Sequence, residues 1–167
     1  MKFDLKLLEK YVDETTMCCE KHPGGELNLY GYYSDHITKQ PTVWDEVSKH
    51  CRGLILDSEG NIIERPFPKF WTFRQYISKS MVLLSEGRIF RIPPGRFRIL
   101  EKIDGTMVTL YWINNKPYLA TQRSFTNIKA IEATKLLYEK YSHLFSKFNK
   151  RYTYIFEAVY PETKVLI

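Results

Sequence analysis

Apolar positions recur along the chain at two spacings, and the switches between them mark out elements. Over 3–12, Leu5, Leu8 and Val12 stand near helical spacing and predict a short amphipathic helix. His-Pro-Gly-Gly over 22–25 is a loop, and 27–33 is a strand rich in tyrosine. Residues 38–42, with Pro41, read as loop. Residues 52–57 form a strand that turns over 58–61 and returns over 62–64, a hairpin. The aromatic and basic segment 65–73 holds Pro66 and Pro68 and is extended, while 80–92 shows no clear period. Alternation predicts strands over 97–103 and 106–113, and Asn114-Asn115 turns the second into a third over 117–122. The clearest helix covers 127–148, with Asn127 as its cap. Its apolar face is Ile128, Ile131, Ala133, Leu136, Leu137, Leu144, Phe145 and Phe148. A strand follows over 152–159, and 164–167 begins another. No repeat or linker interrupts this order. The class is α+β, with antiparallel sheets and one long helix.

Composition narrows the class. At 167 residues there is enough chain for one domain with a real core. The aromatic share of 15% is high; aromatics fill a core and also stack on bases. A net charge of +6 suits a polyanionic partner such as nucleic acid or ATP. Cys18, Cys19 and Cys51 include no C-x-x-C pair, so a zinc site is not expected; reduced thiols in a cytoplasmic setting are. Charges break up the apolar N-terminal positions, which excludes a signal peptide, and no long apolar run predicts a membrane span.

The candidate chemistry lies in Leu100-Glu101-Lys102-Ile103-Asp104-Gly105-Thr106. A lysine at the end of an apolar strand, before a tight Asp-Gly turn, stands at the mouth of a sheet. An ammonium has no lone pair; nearby positive charge and partial burial free the amine. Such an amine can attack the α-phosphate of ATP and form a lysyl–AMP phosphoramidate, releasing pyrophosphate. In isolation, the same tetrapeptide also suits a surface hairpin with a solvated lysine.

The flanking segments add to it. His50-Cys51-Arg52-Gly53-Leu54-Ile55 precedes the lysine, as does Arg65-Pro66-Phe67-Pro68-Lys69-Phe70-Trp71. Ala120-Thr121-Gln122-Arg123-Ser124 and Tyr154-Ile155-Phe156-Glu157-Ala158-Val159-Tyr160-Pro161 follow it. In this order and spacing the chain resembles the covalent nucleotidyltransferase superfamily, an ATP-grasp-like ligase domain, most closely phage RNA ligase 1-like enzymes. Relatives of capping enzymes and DNA ligases are a more distant alternative.

The resemblance implies roles. Lys102 is the nucleophile, and Asp104 and Gly105 shape the turn behind it. Arg52 contacts the phosphates or ribose side of ATP, Lys69 binds the triphosphate, and Phe70 packs the pocket. Arg123 stands near a position where the family often has lysine. Glu157 holds the ribose or a metal-bound water of Mg²⁺; a glutamate inside an apolar run is costly without a partner. Tyr30 aligns with a nucleotide-side tyrosine, with a core strand tyrosine as the alternative. Glu101 lies where the family's backbone meets adenine, or is simply exposed.

Two family features do not follow Glu157, which only ten residues succeed: a strand with a second glutamate, and a terminal Lys-x-Lys. The expectation is therefore one truncated nucleotidyltransferase domain over 1–167 that adenylylates poorly or not at all by itself: an N-terminal fragment, half of a split gene product, or a shortened relative. In the split case a second polypeptide would supply the missing strands. The complete enzyme would seal RNA 5′-phosphate and 3′-hydroxyl ends, cleaved tRNA among them. The rival reading is a non-catalytic module that binds RNA or a partner.

Overall fold

The computed structural model describes residues 2–13, 16–33, 44–70, 96, 98 and 100–159. The expectations for 38–42, 80–92 and 164–167, and for Trp71, Tyr160 and Pro161, lie outside these residues. The chain packs as two compact units, one of Met1–Pro68 with Asp104–Ile167, the other Lys69–Ile103.

In the first unit, four strands form an antiparallel sheet in chain order: β1 (Met17–Lys21), β2 (Leu27–Tyr32), β3 (Leu54–Asp57) and β4 (Ile62–Glu64). A second antiparallel sheet has the order β6 (Lys116–Thr121), β5 (Thr106–Ile113), β7 (Ile155–Ala158). Helix α1 (Leu5–Glu9) packs on the first sheet and α2 (Ile128–Tyr141) on the second. The α+β class with two antiparallel sheets and one long helix is as expected. Among the described residues no helix is long and apolar enough to cross a membrane.

Alternation decides what each strand face meets. Tyr30, Leu54 and Leu56 turn toward α1, where they pack with Phe3, Leu8, Met17 and Cys51. Leu27, Leu29 and Ile55 turn the other way and meet Tyr111 and Ala120 of the second sheet and Phe125 of the loop after β6. The far face of that sheet, with Val108, Leu110 and Leu119, packs on Ala133 and Leu137 of α2. Asn114 and Asn115 both take positive φ, as the two-residue hairpin between β5 and β6 requires.

Several expectations need correction. Helix α1 is one turn, started by Asp4, whose carboxylate accepts the Lys6 and Leu7 amides. Strand β1 was not foreseen; Met-Cys-Cys-Glu-Lys lacks β-branched residues, and its pairing to β2 creates the strand. The described residues of 97–103 form no strand: Leu100 is 79% exposed and Ile103 57%. Strand β5 already carries β6 and β7 on its two edges. Helix α2 ends at Tyr141 and gives way to a 3₁₀ stretch, Ser142–Lys147. Its buried stripe is Ala130, Ala133 and Leu137, narrower than expected, and Ile128 and Ile131 face solvent.

Glu64 ties the sheets together. It ends β4, is 6% exposed, and hydrogen-bonds Thr153, whose Oγ1 also accepts the Arg65 amide at 3.1 Å. Burial pushes its carboxyl up to about 7, opposed by the Thr153 hydrogen bond. The unfolded carboxyl gives up its proton near 4.5, so the wild-type fold should lose stability between there and about 7. Glu64→Gln should therefore be more stable than wild type by ~2 kcal/mol at about pH 8 and equal to it at about pH 4. Urea unfolding at the two pH values measures this, and an equal difference at both would contradict it.

Candidate active site

One end of the first unit collects the ends of β2, β6 and β7 and the starts of β3 and β5. Here the main chain of 122–123 lies against Gly31. A Cβ on Gly31 would collide with the Gln122 carbonyl oxygen and meet Arg123 Cγ at 2.7 Å. Glycine is thus what lets the two sheets close at this end. The Gly53 amide donates to the Tyr30 carbonyl at 3.0 Å, which brings the residue after Arg52 to the same edge.

The loop carrying Arg123 is held at both sides. Thr121 N donates to Ser124 O at 2.9 Å. Asn127 accepts the Ala130 amide at 2.9 Å, capping α2, and its Nδ2 donates to Thr121 Oγ1 at 2.8 Å. Glu20 of β1 accepts from Phe125 N at 3.2 Å and from the Thr126 hydroxyl at 2.9 Å. From this loop the exposed Arg123 lays its guanidinium over the Tyr33 ring, 5.4 Å from the centroid. The stacking orients a cation before any anion arrives.

Asp45 organises the turn before Arg52. Its Oδ1 accepts the Val47 and Ser48 amides at 2.8 and 2.7 Å, and the Tyr11 hydroxyl donates to Oδ2 at 2.6 Å. Burial raises the Asp45 carboxyl, but the bonds from Tyr11, Ser48 and Val47 outweigh it and hold it at about 2. The next turn, Ser48–His50, leads through the buried Cys51 to Arg52, which is half-buried. Burial, then the charges of Arg65 and Lys49, keep the His50 imidazole below its usual range.

Across β5, Met107 pairs with Glu157 and Thr106 with Ala158. Phe156 and Ala158 turn toward α2, so Glu157 turns to the opposite face, the one that carries Tyr111 and Ala120. The apolar run around Glu157 implied burial, but the residue is exposed, because alternation frees it from its neighbours. Gly105 lies against the Ala158 carbonyl, which a Cβ would meet at 2.5 Å. Asp104 and Gly105 are thus moored to the strand that bears Glu157.

The structure therefore brings Arg52, Arg123, Glu157, Asp104 and Gly105 to one end of the strands. Tyr30 is not among them. Its ring is in the α1-side core, 4% exposed, and burial pushes its hydroxyl well above the phenol range. Lys69, Phe70, Glu101 and Lys102 belong to the second unit. Within it Lys69 is half-buried, Phe70 is 58% exposed, and Glu101 and Lys102 are exposed. Among the described residues of 97–103 the strand expected to carry Lys102 is absent, and Lys102 is exposed rather than partly buried. Sequence reasoning missed Gly31, Tyr33 and Glu20; an unforeseen β1 hid the pairing that places Glu20 beside the Arg123 loop.

A cavity of about 430 Å³ opens on the α2 side, lined by Val108, Leu119, Leu137, Phe148, Phe156 and Val159 among others. Among the described residues no lysine or arginine lines it, so their side chains offer it no positive charge for a triphosphate. Among the described residues no three His, Cys, Asp or Glu side chains gather to hold a metal ion. Mg²⁺ is compatible with that, because it commonly uses one or two carboxylates with phosphates and waters.

No family model matches the chain. An RNA ligase of Rhodothermus phage RM378 is 26% identical over 150 residues, spanning 70% of this chain and 34% of its own length. A "Putative RNA ligase" of Thermovibrio ammonificans is 27% identical over 125 residues, spanning 72% and 31%. The chain is thus similar in sequence to two proteins named RNA ligase. It spans about a third of the length of these curated relatives.

In this chain, Gly31→Ala should destabilise the first unit by about 1–3 kcal/mol, the cost of forcing a methyl into a filled contact. It should also lift Arg123 off Tyr33. Urea unfolding gives the first value and the Tyr33 ring resonances report the second. Wild-type values of both would mean that the close contact at Gly31 is not what places Arg123.

Proposed function

We propose that the chain carries a nucleotidyl-transfer centre of the RNA-ligase type, with Lys102 as the nucleophile. The observation that carries this reading is the gathering of Arg52, Arg123, Glu157 and the Asp104–Gly105 turn at one end of the strands. That turn begins two residues after Lys102. The relatives named RNA ligase add support.

In the proposed step the lone pair of Lys102 Nζ attacks the α-phosphorus of ATP. A P–N bond forms, the bond to the bridging oxygen breaks, pyrophosphate leaves, and the amine proton passes to solvent. AMP then moves to an RNA 5′-phosphate, and a 3′-hydroxyl displaces it to seal the strand. Such transfers depend on placed positive charge more than on covalent help from the protein. Arg52, Lys69 and Arg123 supply that charge, and Tyr33 keeps Arg123 oriented. Glu157 would hold the ribose or a water on Mg²⁺, the ion that neutralises phosphate charge when bound. Gly105 keeps the turn close to β7.

The rival, a module that binds RNA or a partner polypeptide without catalysis, draws on the exposure of Lys102. Incubation with α-labelled ATP and Mg²⁺ before a denaturing gel separates the two. Wild type should retain label, Lys102→Ala and Lys102→Arg should retain none, and Arg123→Ala should label about 100-fold more slowly. A folded wild-type protein that takes no label would favour an incomplete ligase domain or the module.

A further inference from the structure

The hairpin tip of β5 and β6 lies at the opposite end of the second sheet from Glu157. Between Glu139 and Glu157 the sequence holds four lysines and arginines and no acidic residue. The fold brings part of this run to the tip. Lys150 Nζ donates to Asn115 Oδ1 at 2.7 Å and stands 4.5 Å over the Trp112 ring. The turn that follows is ordered: Arg151 N donates to Asn149 Oδ1 at 3.0 Å, Tyr152 N to Asn149 O at 3.0 Å, and Asn149 N to the Tyr154 hydroxyl at 3.0 Å. It presents Arg151 and a Tyr152 ring that is 65% exposed. Lys116 opens β6 beside the same tip, and Lys147 ends the 3₁₀ stretch three residues before Lys150. Lys116, Lys147 and Arg151 are exposed, and no carboxylate of a described residue pairs with them.

We propose that this surface binds the phosphodiester backbone of single-stranded RNA away from the reactive end. Lys116, Lys147 and Arg151 would contact phosphates, and Tyr152 would stack on a base. Exposed cations beside an exposed ring are what a single strand needs: charge along the backbone and an aromatic face for its bases. Lys150, held by Asn115 and Trp112, is a positioning residue that keeps the turn on the hairpin. The surface rests on the RNA-ligase reading only in taking RNA as the substrate.

The strand length sets the reach. Met107, which pairs with Glu157, and Ile113 are six residues apart along β5, about 20 Å at ~3.4 Å per residue. About six stacked nucleotides cover that distance at ~3.4 Å each. A stacked strand shorter than this cannot touch both ends of the sheet.

The test is fluorescence anisotropy with a labelled single-stranded RNA of about 20 nucleotides and one of about 4, on the whole chain, across a salt series. Lys147→Gln/Arg151→Gln should weaken binding of the longer RNA about tenfold at low salt. It should also flatten the slope of log affinity against log salt by about 1.4, two phosphate contacts' worth. Tyr152→Ala should weaken it about tenfold with the slope unchanged. Lys6→Gln/Lys10→Gln removes the same charge from α1 and should leave affinity within about twofold. Wild-type affinity and slope in the patch variant would overturn the proposal, as would equal losses in the α1 variant or no binding of the long RNA by wild type. Labelling of Lys102 is read in parallel. RNA held through the patch by a protein that takes no label keeps this surface and removes the Lys102 reading. Label on Lys102 with RNA binding indifferent to the patch does the reverse.

Discussion

The candidate site depends on how closely the two sheets approach each other at Gly31. Leu27, Leu29 and Ile55 bury against Tyr111, Ala120 and Phe125, and that apolar contact draws the sheets together. Where it ends, the loop after β6 must run against β2, and only a residue without a side chain leaves room. Arg123 then stands over Tyr33, and the edge that begins β3 after Arg52 lies beside it. A bulkier residue on β2 would oppose the approach that the core favours.

Polar contacts supply the precision that apolar packing lacks. Glu20, Thr121 and Asn127 each use a side chain to fix main chain or hydroxyl groups of the loop that bears Arg123. Asp45 does the same for the turn before Arg52. The cations therefore extend from short segments whose backbones are pinned nearby. This suits electrostatic catalysis, in which the charge must be in place before the substrate arrives.

Much of the fold was legible where local chemistry is decisive. Asn114-Asn115 demanded a two-residue hairpin, and both residues take the positive φ that it needs. Asn127 announced the start of α2. The hairpins of β3 with β4 and of β5 with β6 followed from alternation and turns. What was not legible depends on contacts between distant segments. Strand β1 exists because β2 pairs with it, and 97–103 has a strand's pattern without forming one in its described residues. Tyr30 and Gly31 are adjacent in sequence yet face opposite layers; only the sheet packing shows that the glycine is at the site and the tyrosine in the core. Glu157 was picked out from its apolar setting, but strand parity is what exposes it. The resemblance also joined Lys69 and Lys102 to Arg52 as one set, whereas the chain divides them between two compact units.

Asn127 has a consequence for heating. One side chain both starts α2 and grips Thr121 at the root of the Arg123 loop. Fraying of a first helical turn is ordinarily a local and harmless event. Here the unwinding turn would loosen its hold on the loop, so the onset of melting at this helix and the scattering of the site's positive charge would be a single transition.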